Sequence, residues 1–190
     1  MQISIGDIAD LFSGIYVNTS TSRGKEVYYL QLGHWDKEKR WTNYIYPELC
    51  KETRLYKNYL EKGDILLATK GIDHPAMLYD ESYTPAIASS VFTVLRIKQT
   101  DIVLPEYLQW YLNHPTTARK LAAASQGTSM PLINREVIEQ LEVPIPSLEK
   151  QQTILLAHDL QQQAIQLRAQ INQLDETIFY YNILQTANRQ

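Results

Sequence analysis

Between Tyr16 and Tyr59 the chain concentrates two kinds of side chain that can grip a polyanion with flat rings in it. Seven of the thirteen tyrosines and two of the three tryptophans fall there, interleaved with Arg23, Lys25, Lys37, Lys39, Arg40, Lys51, Arg54 and Lys57. Long cations neutralise phosphates, and aromatic faces stack on bases or pack against sugars. Residues 23–57 hold eight Lys/Arg against five Asp/Glu, whereas residues 71–110 hold two against five. Half-buried strand aromatics beside a solvated charged face would have the same texture. The densest loop candidate is Lys37-Glu38-Lys39-Arg40-Trp41.

Other chemistries find less support. No Gly-x-Gly-x-x-Gly and no phosphate loop ending in Gly-Lys-Ser/Thr occurs, nor does an Asn-Pro-Pro-Tyr-like tetrapeptide for base amino methylation. Asp64 is followed by Ala68-Thr69-Lys70, where a metal-dependent nuclease needs an acid two residues before the lysine; one carboxylate leaves a metal short of ligands. His34, His74, His114 and His158 are scattered without metal-binding spacing. Ser125 to Ser129 offers hydroxyls beside Gly127, but no base can be matched to them and a capped turn is the better reading. Catalytic and metal-binding residues are therefore expected to be none. Cys50 is the only cysteine, so neither an intrachain disulfide nor a cysteine zinc site can form.

These residues need elements to hold them. The chain has 190 residues, 44% apolar and 21% charged, with a formal net charge of −3: one domain with a real core plus an appendage. Ile5, Ile8, Ala9, Leu11 and Phe12 fit a short amphipathic helix ended by Ser13-Gly14. Strands are expected at Val27–Leu32, Ile65–Ala68, Ala76–Tyr79 and Val91–Ile97, with Lys70-Gly71 as a turn and Pro85–Ser90 as small residues suited to tight packing. Helices follow from Pro105 and Pro115. Gln126–Pro131 reads as a loop, Asn134 as the N-cap of a helix over Arg135–Gln140, and Leu141–Pro146 as extended, because each proline disfavours helix in the residue before it. The start has no signal-peptide pattern and no stretch approaches the ~20 apolar residues of a membrane span, so cytoplasmic residence is the expectation.

Ser147 then caps a helix that meets no proline or glycine as far as about Thr186. At ~1.5 Å per residue it is roughly 60 Å long. Ala157, Leu160, Ala164, Leu167, Ile171, Leu174, Ile178 and Tyr181 recur in steps of three and four, a heptad seam that holds one helix against another. Glutamines crowd the positions around it. The seam asks for a partner helix, most simply in a second chain. The expected fold class is α+β: a mixed α/β globule over residues 1–146 and a long dimerisation or spacer helix over residues 147–190.

Three segments together resemble one family. Gly63-Asp64-Ile65-Leu66-Leu67-Ala68-Thr69-Lys70-Gly71 looks like the strand and turn of target recognition domains in the specificity subunits of type I restriction–modification systems. Ala88-Ser89-Ser90-Val91-Phe92-Thr93-Val94-Leu95-Arg96 resembles the small-residue strand that follows it there. Leu141-Glu142-Val143-Pro144-Ile145-Pro146-Ser147-Leu148-Glu149-Lys150-Gln151-Gln152-Thr153-Ile154 is similar to the family's junction of domain and helix, with Lys150-Gln151 where the family has Glu-Gln. The likeness covers nearly the whole chain.

The resemblance implies a non-catalytic DNA-recognition subunit. In that family two recognition domains and two antiparallel helices read a split DNA sequence; one domain and one helix here resemble a half-size subunit that completes itself as a homodimer. Arg23, Lys25, Lys37, Lys39, Arg40, Trp41 and Lys70, with a second polar loop at Gln126, Thr128 and Ser129, are the expected contacts to double-stranded DNA. Methyltransferase subunits, carrying S-adenosylmethionine, and a restriction/translocase subunit are the further partners the family implies; this chain itself needs no cofactor. The alternative is a truncated interaction protein that binds the methyltransferase subunit without DNA specificity of its own.

Overall fold

The computed structural model describes residues 1–17, 26–35, 41, 45–51, 53–71, 73–125 and 131–187. Gly63 controls entry to its central strand. With φ at +88°, a conformation open to glycine at little cost, it turns the chain into β5 (Ile65–Ala68), all four residues of which are buried. Earlier elements are β1 (Gln2–Ser4), α1 (Ile5–Ile8), β2 (Ala9–Ser13), β3 (Val27–Leu30), a single 3₁₀ turn over Leu32–His34, β4 (Pro47–Leu49) and a 3₁₀ helix over Thr53–Asn58. After β5 come β6 (Ala76–Leu78), β7 (Ala86–Ala88), β8 (Phe92–Ile97), α2 (Pro105–Asn113), α3 (Pro115–Ala124), α4 (Arg135–Glu139), β9 (Glu142–Pro144) and α5 (Leu148–Ala187).

Among the described residues the strands make a four-stranded sheet β2-β8-β5-β6, a three-stranded sheet β4-β3-β7 and the pair β1-β9. The first is antiparallel throughout, with Leu66 opposite Val94 and Met77 and Leu11 opposite Leu95. The second joins β3 antiparallel to β4 and parallel to β7. One core lies between them: Leu66, Ala68, Met77, Phe92 and Val94 from the four-stranded sheet meet Leu30, Ala86 and Ala88 from the other. A smaller cluster of Val27, Tyr29, Leu49, Leu55 and Ile87 sits under the 3₁₀ helix.

Two sequence expectations change here. The helix expected from Ile5 to Phe12 stops after one turn, and Ala9–Ser13 runs as a strand against β8. Ala9 and Leu11 are buried while Asp10 is exposed, so the same apolar residues also satisfy a period of two, and pairing with β8 decides between the readings. Pro85–Ser90 contains a buried strand paired in register with β3, Tyr28 against Ala86 and Leu30 against Ala88. Its small side chains allow another segment close approach. Ile15 N–H donates to Ala88 O at 3.0 Å, and a Cβ on Gly14 would stand 2.1 Å from Ser89 O. Asn134 does occupy the N-cap of α4, but its side chain makes no capping hydrogen bond.

Asp64 anchors the β5–β8 pair by charge. Its carboxylate, 1% exposed, accepts from Arg96 Nε (2.8 Å) and Nη2 (2.7 Å) and from Glu61 N–H (2.8 Å). Arg96 also donates to Tyr59 O at 2.9 Å, reaches Glu61, and lies over the Phe12 ring. The hydrogen bond to Asp64 raises the already high Arg96 pKa. An Asp64→Ala variant is expected to lose about 3 kcal/mol, the low end for breaking a buried pair, because Arg96 keeps some solvent access. Urea unfolding measures it; a loss under 1 kcal/mol would show that the pair is not an anchor.

The chain divides into two compact units, Met1–Gln151 and Gln152–Gln190. The described part of the second is α5 from Gln152 to Ala187. Leu160, Leu167, Ile171, Leu174, Ile178 and Tyr181 of the seam are 55–62% exposed; Ala157 is exposed and Ala164 half-buried. Past Ile178 the helix is apolar on further faces, through exposed Phe179, Tyr180, Ile183 and Leu184, so the glutamine-flanked stripe does not describe its last turns. No helix of the described residues is long and apolar enough to cross a membrane.

Candidate nucleic-acid interface

Eight of the ten DNA-contact residues expected from sequence, Arg23, Lys25, Lys37, Lys39, Arg40, Gln126, Thr128 and Ser129, lie outside the described residues. Trp41 and Lys70 are described. Trp41 is half-buried against the main core, its Nε1–H donates to Leu78 O at 3.2 Å, and its ring meets Trp35 edge-on at 5.0 Å. Trp35 and Trp41 also form an antiparallel backbone bridge. The two tryptophans that flank residues 36–40 are thus tied to each other and to β6, and the indole of Trp41 is used for support.

Lys70 stands at the end of β5, half-buried, in a bridge with Leu132. Gly71 N–H donates to Pro131 O and Ile133 N–H to Thr69 O. On the other side of the same turn, His74 is buried with Nδ1 3.0 Å from Ala68 O and Nε2 3.2 Å from Ser125 Oγ, and the Ser125 hydroxyl also reaches Ala122 O at 2.8 Å. The β5–β6 connection therefore holds the residues on both flanks of 126–130, Ser125 and Pro131–Leu132. Two loops read separately from sequence are rooted in one place.

Sequence spacing left Ser125 without a base, and the fold supplies one in His74. The pair is nevertheless a clasp. Both groups are buried, the hydroxyl hydrogen is shared with a helix carbonyl, and the far ring nitrogen faces Ala68 O, where a nucleophile's base would be oriented by a carboxylate. His74 is 51 residues from Ser125, and no local pattern joins them. Among the described residues no group of three or more metal-ligating side chains assembles.

A second surface feature is a cleft of about 390 Å³ walled by Tyr16, Tyr29, Gln31, Gly33, Ser90 and Val91 among others. Burial raises the Tyr29 pKa, and its protonated hydroxyl donates to Ile15 O at 2.9 Å. The Gln31 side chain accepts from the backbone of His34 in a capping box. The walls are aromatic and neutral-polar.

The family model for the type I restriction modification DNA specificity domain matches residues 1–176. The chain belongs to that family. None of the curated proteins compared matches significantly. Among solved structures, this specificity domain is similar to the HsdS subunit from Thermoanaerobacter tengcongensis, with TM-score 0.60 and 17% identity over 87% of this chain and 37% of that one. It is similar also to the type I restriction–modification S subunit from M. genitalium, with TM-score 0.58 and 13% identity over 84% of this chain and 38% of that one. A third match comes from a structure on complex assembly and conformational transition of the type I R-M system, with TM-score 0.59 and 17% identity over 93% and 42%. At these identities the likeness shows the fold, and the specificity domain spans well under half the length of each of the three.

The junction motif gains a physical meaning in this light. Gln151 is fully buried at the start of α5. Its Oε1 accepts from Leu104 N–H at 2.9 Å, and its Nε2 donates to Ile102 O at 2.7 Å and Pro146 O at 2.9 Å. Tyr107 and Tyr111 of α2 donate to Pro144 O and Glu142 O. The extended Glu142–Pro146 stretch and the first turn of α5 are thereby fastened to α2 and the segment before it.

Proposed function

We propose that this specificity domain reads one half of a split DNA sequence for a type I restriction–modification system, and that its helix pairs antiparallel with that of a second copy. Membership of the specificity-domain family supports DNA reading. The exposed heptad seam of α5 is the observation that carries the pairing, since a stripe of Leu and Ile in water is stabilised by a matching stripe. A paired rod of roughly 60 Å sets two reading units apart by on the order of ten to twenty base pairs. A twofold pair implies an inverted-repeat target with an unread spacer.

Chemistry belongs, in this reading, to methyltransferase subunits that bind S-adenosylmethionine, with a restriction/translocase subunit as a further partner. This chain supplies no catalytic residue and holds no cofactor; it supplies address and spacing. Polar and cationic side chains on the two loops rooted at the β5–β6 connection and at Trp35–Trp41 approach the groove, where Arg, Lys, Asn and Gln read base edges.

Methylome sequencing of cells that express this chain with a cognate methyltransferase tests the proposal. A new bipartite methylation motif is the expected result. Methyltransferase binding with no new motif would replace it with the reading of an interaction protein that lacks DNA specificity.

A further inference from the structure

The 3₁₀ helix Thr53–Asn58 presents a row of cations on a surface that the loops above do not include. Leu55 turns inward, buried with Val27, Tyr29, Leu49 and Ile87, so its neighbours must face out. Arg54 and Lys57 are exposed. In a 3₁₀ helix residues three apart eclipse one another, with a rise of ~2.0 Å per residue, so the two charges stand one above the other about 6 Å apart along the axis. Lys51, outside the helix in the stretch between it and β4, is exposed and pairs with Glu26 at 3.5 Å. Within 51–57 the sequence sets these three cations against one acidic residue, Glu52, and Arg54 has an interaction of its own. Tyr56, also exposed, has its ring against Tyr59 at 5.4 Å. The neutral cleft backs onto the same cluster through Tyr29.

We propose that Lys51, Arg54 and Lys57 form a track for the phosphates of duplex DNA. The track adds affinity without sequence information, while base reading is done elsewhere on the domain. It rests on the DNA-reading function proposed above. The backing matters: Arg54 and Lys57, held on a helix turn over a buried leucine, meet phosphates with less ordering than cations on a free loop.

The test is the salt dependence of binding to a duplex that lacks the methylation motif, using the full chain in complex with its methyltransferase. Each phosphate contact contributes about 0.9 to the slope of log K against log salt. Changing Lys51, Arg54 and Lys57 together to Gln is expected to lower that slope by about 2 to 3, and to leave the methylation motif unchanged. Changing Lys62, Lys98 and Lys120 to Gln removes the same charge elsewhere and is expected to move the slope by less than 1. If the triple variant melts early, Lys57→Gln alone should lower the slope by about 0.9 and Lys57→Arg should restore it. An unchanged slope, or an equal fall in the control, overturns the track even where the unaltered complex lays down a motif. If the unaltered complex lays down none, it is the reading function that fails. A changed motif would make the row a base reader and overturn the proposal as stated.

Discussion

A chain carrying Ile171→Glu and Leu174→Glu is expected to be a monomer at concentrations where the unaltered chain is a dimer. Both side chains are more than half exposed on α5 and sit at consecutive positions of the heptad stripe, so in a two-helix pair both go into the contact. In a twofold pair each change counts twice. Four altered positions at about 2 kcal/mol each, or about 8 kcal/mol in all, weaken association by roughly 10⁵- to 10⁶-fold. Light scattering across a concentration series reads the mass. Gln162→Glu with Gln166→Glu, on exposed positions off the stripe, adds the same charge and should leave the mass as it was. If the stripe variant keeps the dimer mass, the association surface lies elsewhere; if the unaltered chain is monomeric throughout, pairing between copies is wrong. Phe179, Tyr180 and Ile183 fall outside the stripe, so a two-stranded pair leaves them in water.

How much of this was legible in sequence depended on how local each signal was. The strands at Val27 and Val91 showed through β-branched and aromatic residues, those at Ile65 and Ala76 only as short apolar runs just after Gly63-Asp64 and Pro75, and α2 and α3 through proline at the first helical position. Ile5–Phe12 misled because one apolar set fits two periods, and only pairing with β8 selects the strand. Ala86–Ala88 hid because alanine has little strand preference; its conformation is imposed by β3 and by the close approach at Gly14. For the candidate site, types and density pointed to the stretch 16–59, but Trp41 turned out to serve the core through its bond to Leu78 O. The His74–Ser125 clasp was invisible, since it joins residues 51 apart. The cation row over Leu55 was visible as residues and not as a row. Its spacing of three acquires meaning only once the segment is known to be a 3₁₀ helix.

Gln151→Ala is expected to cost the first unit about 4 kcal/mol. Among the described residues of α5 it is the one buried residue, and it is an amide with one acceptor contact and both amide hydrogens in use. Removing it strands Leu104 N–H and the carbonyls of Ile102 and Pro146. At about 1–2 kcal/mol for each group left unpaired, plus the space vacated, the loss is a large share of a stability of about 5–15 kcal/mol. Gln151→Glu separates shape from hydrogen bonding. A carboxylate of the same size can still accept from Leu104 N–H, but it faces two carbonyl oxygens where the amide donated. Burial and those oxygens favour the neutral acid, so the folded pKa of the new group rises above the unfolded value of about 4.3. A raised folded pKa means that the group's contribution to stability is present below the unfolded value and is lost as pH rises through the folded one. Urea unfolding relative to the unaltered chain should therefore show Gln151→Glu improving as pH falls from 7.5 to 5, while Gln151→Ala holds a constant deficit. A constant deficit for both would mean that the pocket relaxes and admits water. A loss below 1 kcal/mol for Gln151→Ala would mean that the prolines alone hold the junction, and that the glutamine of the family motif is not there to hold it.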